Sequence, residues 1–131
     1  MSERNDNLVL EAIGLSKNFR LGDGSIRVLA DADIRLKEAS SLSIQGSSGC
    51  GKTTLLNCVS TIDHVTSGKI IVNDIDVTKL RGNHLNRFRR KELGFIFQDF
   101  NLLDTLTAYE NISLALTIQR VSPAKIHKSV K

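Results

Sequence analysis

Eight consecutive residues carry the densest chemistry in the chain. Gly46-Ser47-Ser48-Gly49-Cys50-Gly51-Lys52-Thr53 satisfies the pattern G-x-x-x-x-G-K-[ST] at every specified position. Glycines spaced this way let the backbone turn tightly and bring successive amide N–H groups against phosphate oxygens. A helix opening near Lys52 points the positive end of its dipole at the same anion. Lys52 adds a full charge for the outer phosphates of a nucleotide, and the Thr53 hydroxyl stands where it can ligate Mg²⁺, with Thr54 completing the phosphate-facing run. A glycine-rich surface turn is the bland alternative, but it explains neither flank. By itself the motif leaves open a nucleotide kinase, a GTPase or an ATPase.

The motif requires a strand before it and a helix after it. Leu42-Ser43-Ile44-Gln45 reads as the strand, and Lys52–Thr61 places Leu55, Leu56 and Val59 on one side at helical spacing. Upstream, Leu8–Ile13 reads as a strand and Leu21-Gly22-Asp23-Gly24-Ser25 as a turn. From Val28, Ala30, Ala32, Ile34 and Leu36 alternate with Asp31, Asp33, Arg35 and Lys37, the period of a half-buried strand. Downstream, Thr66-Ser67-Gly68 reads as a turn, Lys69–Val72 as a strand, Arg81–Glu92 as a charged helix and Leu93–Phe97 as an apolar strand. Thr107-Ala108-Tyr109-Glu110 matches a capping box that opens a helix through about Gln119, and Ser122-Pro123 marks the start of another.

Composition bounds the class. The chain has 131 residues, enough for one core, with 40% hydrophobic and 24% charged residues, which argues for a globular protein and against disorder. The formal charge of +4 suits an anionic ligand or a membrane surface without selecting either. Cys50 and Cys58 lie eight residues apart on one loop-helix element, a spacing that argues against a disulfide and for a reducing compartment. The start of the chain is polar and charged, unlike a signal peptide, and no segment approaches the ~18 apolar residues a membrane span needs. Arg81, Arg87, Arg89, Arg90 and Lys91 form a basic cluster; without an aromatic stacking platform it reads as a solvated helix face, so no nucleic-acid partner is expected. His64, His84 and His127 read as solvated surface residues. Cys50, inside the loop, reads either as a small filler or as a thiol that helix-end amides favour as thiolate.

The flanks of the phosphate loop carry a family resemblance. Ser47-Ser48-Gly49-Cys50-Gly51-Lys52-Thr53-Thr54-Leu55-Leu56 resembles the Walker A loop of ABC transporter ATPases. Leu93-Gly94-Phe95-Ile96-Phe97-Gln98-Asp99-Phe100-Asn101-Leu102-Leu103 is similar to that family's Q-loop, and Thr105–Ile112 to its Leu-Thr-x-x-Glu-Asn segment. The nearest branch serves lipoprotein release, macrolide export and antimicrobial-peptide resistance of the bacitracin type. The resemblance implies an α/β P-loop NTPase fold of the ABC ATPase type, a mixed sheet with an antiparallel amino-terminal portion, truncated before the Walker B strand. The whole chain, 1–131, is then the amino-terminal part of one nucleotide-binding domain. About 8–121 matches the family, 1–7 is a polar tail and 122–131 begins an incomplete helical segment.

The same resemblance assigns roles to individual residues. Residues 46–54 bind ATP with Mg²⁺, Lys52 and Gln98 are the catalytic candidates, and Thr53 and Gln98 approach the metal. Phe19, in Ser16-Lys17-Asn18-Phe19, matches the aromatic that stacks on adenine; its bland reading is core packing beside the first strand. One departure is Ala39-Ser40 where the family has Gly-Glu, so a turn there that needs positive φ carries a cost of about 1 kcal/mol.

The family hydrolyses ATP between two subunits, using an Asp-Glu pair, a switch histidine and a Leu-Ser-Gly-Gly-Gln signature. No Asp-Glu dipeptide and no such signature occurs in these 131 residues. The expectation is therefore nucleotide binding without turnover by this chain alone, as part of an energy-coupling subunit. Its implied partners are a transmembrane permease and a second nucleotide-binding subunit. Its implied place is the cytoplasmic face of the cell membrane, reached only through the permease. Two other readings stand beside it: a non-catalytic binding module, and a non-functional remnant of a transporter ATPase.

Overall fold

Two long strands joined by a two-residue turn dominate the first half of the chain. The computed structural model describes residues 7–130, and these divide after Leu85 into two compact units, the second beginning at Asn86. In the first unit, β1 (Leu8–Leu21) pairs antiparallel with β2 (Gly24–Lys37) on one side and with β3 (Ser67–Val72) on the other. A short β4 (Ile75–Asp76) completes the order β2-β1-β3-β4. The β3–β4 connection is Asn73-Asp74, both at positive φ, which matches the twist of a two-residue hairpin. Helix α1 (Lys52–Val59) follows the glycine-rich loop, and a 3-10 turn (Val77–Lys79) precedes helix α2 (Gly82–Glu92).

The expected alternation in β2 is present from Ala32 onward, where Ala32, Ile34 and Leu36 are half-buried between exposed charges. It changes phase at Asp31, which adopts a φ of 52°. Leu15 faces Ala32 while Lys17 faces Leu29, so one extra residue of β2 is accommodated there and Leu29, not Ala30, turns inward. Ser16 fixes this bulge, its hydroxyl accepting from the Asp31 N–H at 3.1 Å and from the Arg27 guanidinium at 3.1 Å. Leu15, Ile70 and Cys58 are fully buried and mark the core between sheet and α1.

β1 also extends eight residues past the expected Ile13, and β3 begins at Ser67 rather than Lys69. Ser67 and Gly68, expected in a turn, therefore sit in the strand, where Ser67 pairs with Ser16. Gly68 makes this close pairing possible. Its φ is +98°, and a Cβ there would meet the Gly14 carbonyl oxygen at 2.5 Å.

Two expected strands are not formed. Leu42–Gln45 and Leu93–Phe97 run without a ladder. A strand exists by exchanging N–H and C=O bonds with a neighbour, and among the described residues neither segment has one. The sheet observed is thus the antiparallel portion of the expected mixed sheet. In α1 the inward side is carried by Cys58 with Leu55 and Val59, while Leu56, 100° round the helix, is 47% exposed.

The second unit holds α3 (Ala108–Ile118) and α4 (Pro123–Ser129). The expected capping box is present in full: Thr107 accepts from the Glu110 N–H, and the Glu110 carboxylate accepts from the Thr107 N–H at 2.8 Å. Proline opens α4 as expected, with Ser122 at the cap position but without a side-chain cap bond. Ile126 of α4 is buried, whereas no residue of α3 is. Among the described residues no helix is long and apolar enough to cross a membrane.

Candidate functional site

The phosphate loop is shaped by its glycines. Gly51 takes a φ of 99° as the residue preceding α1, a left-handed conformation that side chains resist. It also lies against β2, where an added Cβ would stand 3.1 Å from the Val28 carbonyl oxygen and 3.3 Å from Leu29 Cδ2. The sharp entry lets α1 begin at Lys52. Its first amides, on Lys52, Thr53 and Thr54, have no intrahelical acceptor. Gly51 offers no side-chain cap for them. Open N–H groups at a helix start constitute an anion site.

Lys52 closes over the loop from the other side. Its ammonium donates to the carbonyl oxygens of Gly46 at 2.8 Å and Ser47 at 2.7 Å, and approaches Cys50 Sγ at 3.6 Å. Gly46, Ser47, Ser48, Gly49 and Cys50 are all exposed, as is Thr53. The cluster thus presents uncapped amides, one ammonium and the exposed hydroxyl residues Ser47, Ser48 and Thr53 within one loop and helix start. That donor set fits a Mg²⁺-bound polyphosphate: amides and ammonium for the oxygens, hydroxyl for the metal.

Phe19 belongs to the same unit, near the end of β1, and is 38% exposed. It is therefore not a core residue, and its ring is held by an unexpected neighbour. The Lys17 ammonium lies 4.8 Å from the ring centroid. Lys17 is itself buried, donating to Asp63 Oδ1 at 2.7 Å and to the His64 carbonyl oxygen at 2.6 Å. The Lys17 hydrogen bond holds the Asp63 carboxyl below its ordinary range. Burial, with Asp63 adding to it, pushes the neighbouring Cys58 thiol up. A concavity nearby, lined by Cys58, Thr61, Asp63, His64, Ile70 and Arg81 among others, contains none of the expected site residues.

Gln98 lies in the second unit, exposed, in the segment after Phe95 and Phe97, whose rings are tilted at 41° with centroids 4.4 Å apart. The structure thus brings residues 46–54 together as one loop and helix start and sets Phe19 on the strand pair of the same unit, while Gln98 is carried by the other unit. His64, His84 and His127 are exposed, as expected, and so are Arg81, Arg87 and Lys91 of the basic cluster.

Sequence reasoning missed Lys17 and Asn111. Lys17 gives no local signal, because its partner Asp63 is 46 residues away. Asn111 does give one, since it follows the capping-box glutamate directly. Its side chain accepts from the Leu103 N–H at 2.8 Å and donates to the carbonyls of Leu103, Leu106 and Thr107 at 3.0–3.2 Å.

A family model described as ABC transporter matches residues 29–131. The chain is 45% identical over 113 residues to the bacitracin export ATP-binding protein BceA of Halalkalibacterium halodurans, covering 86% of this chain and 45% of that protein. It is 43% identical over 122 residues to the ABC transporter ATP-binding protein YxdL of Bacillus subtilis, covering 93% and 47%. The chain thus spans about half the length of these curated relatives. Among solved structures it resembles the dimeric ATP-binding cassette MJ0796 bound to ADP and Pi, with a TM-score of 0.84 and 32% identity over 92% of this chain and 53% of that one. The open helix start, the lysine folded over it and the agreement of sequence and fold place the chain in the ABC transporter family, as part of its ATP-binding domain.

Proposed function

We propose that this chain binds ATP with Mg²⁺ through residues 46–54, as part of the energy-coupling subunit of an ABC transporter that exports or confers resistance to antimicrobial peptides. In this reading Lys52 and the amides of Gly49–Thr54 hold the phosphates, Thr53 ligates Mg²⁺, and Phe19 stacks on adenine. Gln98 approaches the metal or the attacking water. The subunit pairs with a second copy beneath a transmembrane permease and faces the cytoplasm. These 131 residues contain no Asp-Glu pair, so by themselves they bind ATP and do not turn it over. The similarity to a bacitracin export protein supports the substrate class, and the dimeric cassette supports the pairing.

The observation that carries the reading is the Lys52 ammonium bound to the loop's own carbonyls beside uncapped α1 amides. Calorimetry of Mg-ATP binding tests it. Lys52→Ala is expected to weaken binding by about 1.5–3 kcal/mol, the range for a charged hydrogen bond. Unchanged affinity, or a strong preference for GTP in competition, overturns it.

A further inference from the structure

We propose that Lys17 is a positioning residue for the nucleobase: its ammonium occupies one face of the Phe19 ring and leaves the other as the platform on which a purine stacks. The inference rests on the reading of Phe19 given above and adds to it the group that sets the ring.

Lys17 and Phe19 are two residues apart on β1, and their side chains meet, the ammonium lying over the ring. The ammonium sits 4.8 Å from the ring centroid, within the ~6 Å over which a cation is attracted to an aromatic face. It cannot swing away freely. The Lys17 side chain is 11% exposed, and it is held by Asp63 Oδ1 and by the His64 carbonyl oxygen. Phe19 is by contrast 38% exposed at the end of the sheet. One face of the ring is thus committed to a fixed cation, and the stacking partner must take the other.

The cation also changes what the free face offers. An aromatic face carries negative charge, and two such faces repel when parallel. A cation drawing that charge toward one face makes the opposite face less negative, and so a better partner for an electron-rich purine. Asp63 balances the Lys17 charge, which makes the effect local to the ring and not an attraction for phosphate. The platform is tied to the phosphate loop through the sheet. Lys17 pairs with Leu29, and Leu29 Cδ2 lies 3.3 Å from where a Cβ on Gly51 would stand.

The test separates base from phosphate. Binding of Mg-ATP and of inorganic tripolyphosphate, which lacks a base, is measured on the 131-residue chain and its variants. Lys17→Met is expected to weaken ATP about three- to fivefold, the worth of a cation over a ring, and to leave tripolyphosphate unchanged. In a Phe19→Ala background Lys17→Met is expected to change neither ligand. Since Lys17→Met leaves Asp63 without its partner, the double variant Lys17→Met/Asp63→Asn, which removes both charges, is measured alongside. The proposal is overturned if this double variant binds ATP as tightly as the parent, or if it loses ATP and tripolyphosphate to the same degree. The two readings fail separately: equal binding of both ligands by Lys52→Ala and the parent refutes the phosphate loop, whatever Lys17 does.

Discussion

Lys52 holds the carbonyl oxygen of Gly46 at 2.8 Å, so the lysine that would meet a phosphate spans its own loop instead. The same ammonium is 3.6 Å from the exposed Cys50 sulfur, whereas Cys58 is buried with its thiol pushed up by that burial and by Asp63. A thiol reagent should therefore modify Cys50 alone at neutral pH. Mg-ATP, by drawing Lys52 to its phosphates and covering the loop, should slow that reaction at least tenfold. Mass spectrometry of partly alkylated protein checks both statements. Equal rates with and without nucleotide would place Cys50 away from the phosphates.

The Lys17–Asp63 pair predicts an acid limb of stability. The folded Asp63 carboxyl lies below its ordinary value of 3.8, chiefly because Lys17 donates to it. Its contribution is present above that value and is lost as pH falls through the lower, folded value. Thermal melts from pH 5 to pH 2 should show a decline that flattens in Asp63→Asn. A variant curve parallel to that of the parent would exclude this pair as a source of the limb.

Backbone conformation predicts two effects of opposite sign. Ala39 has a φ of 55°, the conformation that its Gly-to-Ala departure from the family puts in question. Ala39→Gly should stabilise by about 1 kcal/mol. Gly68 is the reverse case, with its φ of +98° and, against an added Cβ, the Gly14 backbone at 2.5–2.7 Å and the Ile13 carbonyl oxygen at 2.8 Å. Gly68→Ala should cost about 3 kcal/mol or more, because strain and overlap with rigid backbone act together. Urea titrations of the two variants read both numbers.

What is legible in the sequence follows from how local each signal is. The phosphate loop and the Thr107–Glu110 capping box are readable because their hydrogen bonds close within a few residues. The Val28–Lys37 strand is readable as a period of two, but not its phase change at Asp31, which depends on Ser16 from the neighbouring strand. Leu42–Gln45 and Leu93–Phe97 have strand composition and no ladder, since composition cannot supply a neighbour. Lys17 resembles a surface lysine because nothing near it in sequence announces Asp63.

Asn111 explains why the Leu-Thr-x-x-Glu-Asn run is a structural unit, and it yields the last prediction. From the first turn of α3 its side chain reaches back across the residues that lead into the helix. It accepts from the Leu103 N–H and donates to the carbonyls of Leu103, Leu106 and Thr107. The capping box fixes the helix start itself, through Thr107 and Glu110. The two devices therefore have separate roles. The box sets where α3 begins, and the asparagine holds the preceding loop against it. Asn111→Leu keeps the side chain's size and removes its polar atoms, leaving the loop groups without partners. The variant should retain α3 but release residues 103–106, with local opening easier by about 2 kcal/mol. Hydrogen exchange checks this residue by residue: Leu103 N–H should exchange roughly thirtyfold faster at that cost, while amides from Leu114 to Ile118 keep their protection. If the end of α3 loses protection to the same degree, Asn111 supports the helix as a whole and the division of roles is wrong.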